Sequence, residues 1–132
     1  MKDTYIFPAI FTVEPEGIAI EFPDLPGCLS CADDMEMAMH HAREAMSLHL
    51  YSMEKDGDEI PEPTPMESIA VEDNGFVTMI DAWMPPFREV MKNQTRRRTI
   101  KVPVWLDLIA QREGVDYSQL MEIALKKHLG LS

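Results

Sequence analysis

Residues 22–36 read FPDLPGCLSCADDME, and their reading sets the architecture on both sides. Pro23, Pro26 and Gly27 oppose regular structure, leaving room for at most a short strand near Cys28 to Cys31. Just beyond, Asp33 and Glu36 stand three apart as in a capping box. The Asp33 carboxylate can accept from the free amides of a first turn while Glu36 reaches back. A helix is predicted to start there and to run to about Lys55, where Gly57 and the run IPEPTP end it. At about 100° per residue, Glu36, His40, Arg43, Ser47 and Glu54 form a polar stripe. Met35, Ala38, Ala42, Ala45, Met46, His49 and Met53 cluster opposite and are predicted to pack on a sheet. Met37, Leu48, Leu50 and Tyr51 fall outside that face, which leaves apolar surface for a partner to cover.

Upstream, Tyr5 to Val13 is rich in β-formers, EPEG at 14–17 is turn chemistry, and IAIEF at 18–22 alternates, so a hairpin is predicted. Downstream, Thr64, Pro65 and Glu67 suggest a short capped turn, and GFVTMIDAW at 75–83 suits another strand, which PPF at 85–87 interrupts. Residues 1–84 are read as one domain and 85–95 as a linker.

The remaining residues, 96–132, open with RRRTIKVPVWLDLI, in which Thr99 and Lys101 alternate with Ile100 and Val102 before Pro103. Side chains alternate across a strand, and proline suits the first turn of a helix, so a strand and then a helix are predicted. That helix carries Trp105, Leu106, Ile109 and Ala110 to Gly114. Asp116 with Gln119 starts a second helix, along which Leu120, Ile123, Ala124 and Leu129 lie. So short a strand-helix-helix segment cannot bury its apolar faces alone, and obligate dimerisation is the physical expectation.

The charge is divided the same way. The 132-residue chain has a formal net charge of −11, but residues 1–91 hold four Lys and Arg against 19 Asp and Glu, a net −15, whereas residues 92–132 hold eight against four, a net +4. The first part suits a basic partner; the second can approach phosphates. The chain lacks an apolar run of roughly 18 residues, and its opening MKDTYIFPAI lacks a signal-peptide core, so a cytoplasmic protein is expected. Two cysteines, Cys28 and Cys31, provide no disulfide framework.

The tail resembles the ribbon-helix-helix family of bacterial repressors, in which two chains pair one strand each into a ribbon that enters the major groove. The resemblance puts Arg97, Thr99 and Lys101 on the DNA side of the ribbon and Ile100 and Val102 inside. The helix start at Asp116 to Ser118, with Tyr117 and Ser118, would lie at a phosphate. Trp105, Leu106, Ile109 and Leu120 would complete the dimer core. The first part, through YIFPAIF, FPDLPGCLSC, the acidic cap, the Ala-rich helix and DGDEIPEPTP, resembles the HicB antitoxin family to about residue 70. That resemblance implies an α+β chain: a small, partial ribonuclease-H-like α/β domain followed here by a ribbon-helix-helix module. It implies a protein that binds and silences a HicA-like toxin, a small basic protein that cleaves messenger RNA, and that represses its own operon at operator DNA. It further implies a homodimer through the ribbon, with tetramers if the first domain also associates. Asp24, Asp33, Asp34 and Glu36 are the candidate toxin contacts.

Other chemistries fit parts of the pattern. Cys28, Cys31, His40 and His41 invite a zinc reading, but structural zinc sites show a spaced histidine pair and His40 falls on the polar stripe. A nuclease needs carboxylates converging on paired cations, and capping and solvation account for Asp24, Asp33, Asp34 and Glu36 with less assumption. A repressor whose first domain senses a small molecule is a further alternative. The expectation is therefore an antitoxin and autorepressor with no catalytic residues, metal or cofactor.

Overall fold

The computed structural model describes residues 1–131 and divides into two compact units, Met1–Gln94 and Thr95–Ser132. In the first unit β1 (Thr4–Glu14), β2 (Gly17–Glu21), β3 (Leu29–Ala32) and β4 (Gly75–Trp83) form one antiparallel sheet in the order β3-β2-β1-β4. Helix α1 (Met35–Asp56) lies between β3 and β4 in the chain and packs on one face of the sheet. A single 3-10 turn, Met66–Ser68, and helix α2 (Met84–Lys92) complete the unit.

The predicted hairpin forms with Glu14 paired to Gly17 across the turn. Gly17 has φ +149°, and a Cβ added there would sit 2.7 Å from the Ala32 carbonyl oxygen. Both the conformation and the close approach require glycine. Gly17→Ala should therefore cost about 1 to 3 kcal/mol in a urea titration; an unchanged midpoint would show that the hairpin relaxes without loss.

Alternation on β1 sends Tyr5, Phe7, Ala9 and Phe11 into the core beneath α1, opposite Ala82, Ile80, Thr78 and Phe76 of β4. Ala38, Ala42, Met46 and Leu50 descend onto them from α1, with Ala45 and Met53 packed beside. The predicted helical face is therefore right at its centre and rotated at its ends. Met35 is exposed, whereas Leu50 is buried. Ser47, assigned to the polar stripe, is buried and satisfies its hydroxyl by donating to the Arg43 carbonyl at 2.7 Å. The cap is also one residue later than predicted. Asp34, in extended conformation, accepts from the Met37 amide at 2.8 Å, because the strand register carries the chain to Ala32 and leaves Asp33 exposed in the bend. Gly57, at φ +74°, closes the helix as expected.

The expected linker over residues 85–95 is helical in its first part. β4 ends before them as expected, but Pro85 and Pro86 fall in the first turn of α2, where the amides they lack would have no intrahelical acceptor, so a helix and not a linker follows the strand. Met84 is buried in the core, its amide donates to the Asp3 carbonyl at 2.7 Å, and Phe87 packs edge-on to Tyr51.

The second unit contains α3 (Val104–Arg112) and α4 (Tyr117–Leu129). Asp116 caps α4 by accepting from the Gln119 amide at 3.1 Å, as the sequence predicts. The expected strand near residues 96–102 is absent from the single chain. Residues 94–103 are irregular, since a ladder needs a second strand to bond. Among the described residues, no helix is long and apolar enough to cross a membrane.

Candidate protein-binding and DNA-binding surfaces

The four acidic residues expected to meet a partner lie near the start of α1 and in the loop before β3, and they are not equivalent. Asp24 accepts from both the Thr64 amide, at 2.9 Å, and the Thr64 hydroxyl, at 2.5 Å, tying the loop to the segment after α1. Asp34 is the helix cap. Both carboxylates therefore shape the unit. Asp33 and Glu36 are exposed at the same helix end, where their charge can face a basic partner.

Beside them, Cys28 is buried and Cys31 exposed. Burial pushes the Cys28 thiol up to about 11, so it is an inert packing group. His41 lies over β3 with Nδ1 2.8 Å from the Cys31 carbonyl oxygen. A carbonyl only accepts, so Nδ1 carries the proton. Among the described residues, no three His, Cys, Asp or Glu side chains gather where they could hold a metal ion.

A second polar constellation has no motif in the sequence to announce it. Glu54, predicted to lie on the solvent stripe, has a side chain only 6% exposed. Arg88 of α2 grips it with two donors, Nε to Oε1 at 3.0 Å and Nη2 to Oε2 at 2.7 Å, and the Tyr5 hydroxyl donates to Oε2 at 3.0 Å. Arg88 also pairs with Asp3 at 3.0 Å and donates to the Lys2 carbonyl. Burial opposes the charge on Glu54, but the Arg88 and Tyr5 hydrogen bonds outweigh it and hold the carboxyl below its usual range. The one sequence signal is scarcity: Arg88 is one of four basic residues among the first 91. Next to this network, a cleft of about 640 Å³ runs between the first residues of β1 and residues 60–63.

Farther along the sheet, Arg43 donates through Nε to the Asp81 carbonyl at 3.0 Å and through Nη2 to its carboxylate at 2.7 Å, covering part of the outer edge of β4.

In the second unit Arg97, Thr99 and Lys101 are exposed, as is Ile100, while Val102 is half-buried. Neither helix has a buried residue. Trp105 is 66% exposed and Leu120 54%, and Leu106 and Ile109 are also open to solvent. Ser118 is exposed at the start of α4. Tyr117 beside it donates its hydroxyl to the Asp107 carboxylate, which joins α4 to α3 and raises the phenol above its usual range.

Comparison with known proteins places these features. The family model described as the HicB-like antitoxin of bacterial toxin-antitoxin systems matches residues 7–121. A 14.9 kDa protein of the rep-hol intergenic region of Haemophilus phage HP1 is 36% identical over 62 residues, a stretch that spans 47% of this chain and 47% of the phage protein. A chain of a toxin-antitoxin complex from Streptococcus pneumoniae superposes with a TM-score of 0.63 at 17% identity, covering 95% of this chain and 99% of that one. The HicB3 antitoxin crystal structure superposes at 0.50 with 22% identity, covering 93% and 97%. A chain of the HicA3 and HicB3 complex also reaches 0.50, at 21% identity, covering 59% of this chain and 98% of that one. The structural matches extend to an α+β chain with a four-stranded antiparallel sheet and four helices, and the sequence match spans both units. The chain belongs to the HicB-like antitoxin family of bacterial toxin-antitoxin systems.

Proposed function

We propose that the first unit, a partial ribonuclease-H-like domain, binds and neutralises a HicA-like, messenger-RNA-cleaving toxin. In the same proposal the second unit pairs with that of another chain as a ribbon-helix-helix module that represses the protein's own operon. The observation that carries the second half is the absence of a core in the tail: two amphipathic helices with no buried residue lack the other half of one. A second copy supplies it, with Ile100, Val102, Trp105, Leu106, Ile109 and Leu120 facing their equivalents. The first half is supported by family membership, by the fold shared with chains from toxin-antitoxin complexes, and by the net −15 of residues 1–91. Asp33 and Glu36 are the free members of the four candidate contacts, with Asp24 and Asp34 holding their frame. The protein works without catalysis, metal or cofactor in this reading, in the cytoplasm where its RNA-cleaving partner acts.

Pairing of two tails into a ribbon projects Arg97, Thr99 and Lys101 into the major groove, where Arg and Lys donate to guanine O6 and N7. Arg96 and Arg98 face the phosphates. Arg97→Ala should cost about 1 to 3 kcal/mol on operator duplex and erode discrimination, whereas Arg98→Ala should weaken operator and scrambled duplex alike and flatten the salt slope by about one unit. Titrations across a salt series measure both. If neither variant alters operator affinity, the repressor half of the proposal falls. Co-expression with the product of the adjacent reading frame, a small basic protein in this proposal, tests the other half. Unrelieved toxicity would refute it.

The 640 Å³ cleft gives a small-molecule-sensing repressor its one specific support, since ligand sites run to about 300–1,000 Å³. Its buried polar groups are already committed, Tyr5 to Glu54 and Glu54 to Arg88, so they offer a ligand little to recognise.

A further inference from the structure

We infer that the outer edge of β3, with the stripe of α1 beside it, is a strand-addition site that takes an extended segment of the basic partner. The inference rests on the antitoxin reading above and names where and how the partner is held. β3 is the last strand of the sheet, so the backbone groups on its outer side have no ladder partner. Folded proteins guard such edges with lysine, proline, a bulge or a covering side chain. Arg43 performs that service at Asp81 on β4, the opposite edge. The β3 sequence Leu29-Ser30-Cys31-Ala32 contains neither lysine nor proline, Leu29 is 67% exposed, and the His41 ring on the Cys31 carbonyl is the one side-chain cover among the described residues.

The adjoining surface is shaped to receive what such an edge binds. Met37, His41, Glu44 and Leu48 recur at intervals of four, three and four along α1 and so share a face. Between that face and β3 lies a depression of about 280 Å³ lined by Ser30, His41, Glu44, Ala45 and Leu48. Strand addition draws affinity from main-chain hydrogen bonds and specificity from pockets for alternate side chains, and this surface offers both. Its lining combines the apolar side chains of Ala45 and Leu48 with the carboxylate of Glu44. Such a site suits an aliphatic stem ending in a positive charge, a lysine or arginine of the incoming strand. Exposed Asp33 and Glu36 at the start of the same helix extend the negative field. A second copy of this chain is a poorer occupant, since pairing β3 with β3 would bring two units of the same strong negative charge together at these carboxylates.

The test uses the full chain and the basic product of the adjacent reading frame. Leu48→Lys places a like charge where the partner's cation is seated and should weaken binding about 10- to 100-fold by calorimetry. Val90→Lys, at an exposed apolar position on α2 away from this surface, should bind as the wild type does. Hydrogen exchange adds a backbone readout: the amides of Leu29 and Cys31 should gain protection in the complex and not in the free chain. Wild-type affinity in Leu48→Lys, or unchanged exchange of those amides in a complex that does form, overturns the inference and leaves the antitoxin reading standing. Protection of the same amides in the free chain at high concentration would show the edge filled by a second copy, also against it. Absence of any binding by the wild type overturns the antitoxin reading and this inference with it.

Discussion

Arg88→Ala should destabilise the first unit by about 3 to 5 kcal/mol, because it strands a carboxylate that the fold has already taken out of water. The Glu54 side chain is 6% exposed and receives two of its three hydrogen bonds from Arg88. For a unit of this size about 4 to 8 °C of melting temperature accompanies each kcal/mol, so a fall of at least about 12 °C is expected in a thermal scan. The pair also fastens α2 and the chain start to α1 through Asp3 and the Lys2 carbonyl, so α2 should lose protection first in hydrogen exchange. The double variant Arg88→Met with Glu54→Met should recover much of the loss, since an apolar pair of similar size leaves no charge unpaired. The pH dependence follows from the lowered Glu54 carboxyl. A folded-state value below the unfolded one, about 4.3, adds stability that is present above the unfolded value and lost as pH falls through the folded one. Wild type should therefore lose the pair's contribution in the acid range, and the Met double variant should not show that component. Identical stability of Arg88→Ala and wild type at neutral pH would mean that water reaches Glu54 and the pair is worth no more than a surface bridge.

Ile100→Asp should abolish pairing of the tails. In the proposed ribbon Ile100 faces its equivalent across the dimer axis, and two unpaired carboxylates buried together cost several kcal/mol. In the single chain the residue is half exposed, so the substitution leaves each chain's own fold intact and acts on association alone. Sedimentation of the full chain should show the assembly mass halved, and operator binding should vanish with it, because one strand alone cannot form a ribbon. Circular dichroism of the variant should show α1 retained. An unchanged mass would place the dimer contact elsewhere and remove the basis for assigning Arg97, Thr99 and Lys101 to the groove.

Features set by neighbours in the chain are legible in the sequence itself. The hairpin, the Gly57 stop and the Asp116 cap depend on contacts a few residues apart, which leave a local signature of turn residues and capping pairs, and the strand at Gly75–Trp83 is legible from its run of β-formers although its ladder partner, β1, lies more than 60 residues away. The FPDLPGC run, with the acidic cap and Ala-rich helix after it, carries the resemblance to the HicB family, and the family match over residues 7–121 agrees with it.

What only the tertiary structure decided depends on residues distant in sequence. Pro8 is fully buried in a strand flanked on both sides, a place where its missing amide should cost a ladder bond. It is tolerated because β2 reaches β1 only from Ile10 to Glu14, a fact of strand length and not of the sequence around Pro8. Glu54 reads as solvent-facing on a helical wheel until an arginine 34 residues away arrives to pair with it. Asp24 reads as a free surface charge until Thr64, 40 residues on, takes both its oxygens. Residues 85–95 read as a linker until the core offers Met84 and Phe87 a place, and their first part is helical. Capping and alternation are short-range and survive in one dimension; the burial of a charge or a proline is settled by whichever groups the folded chain brings against it.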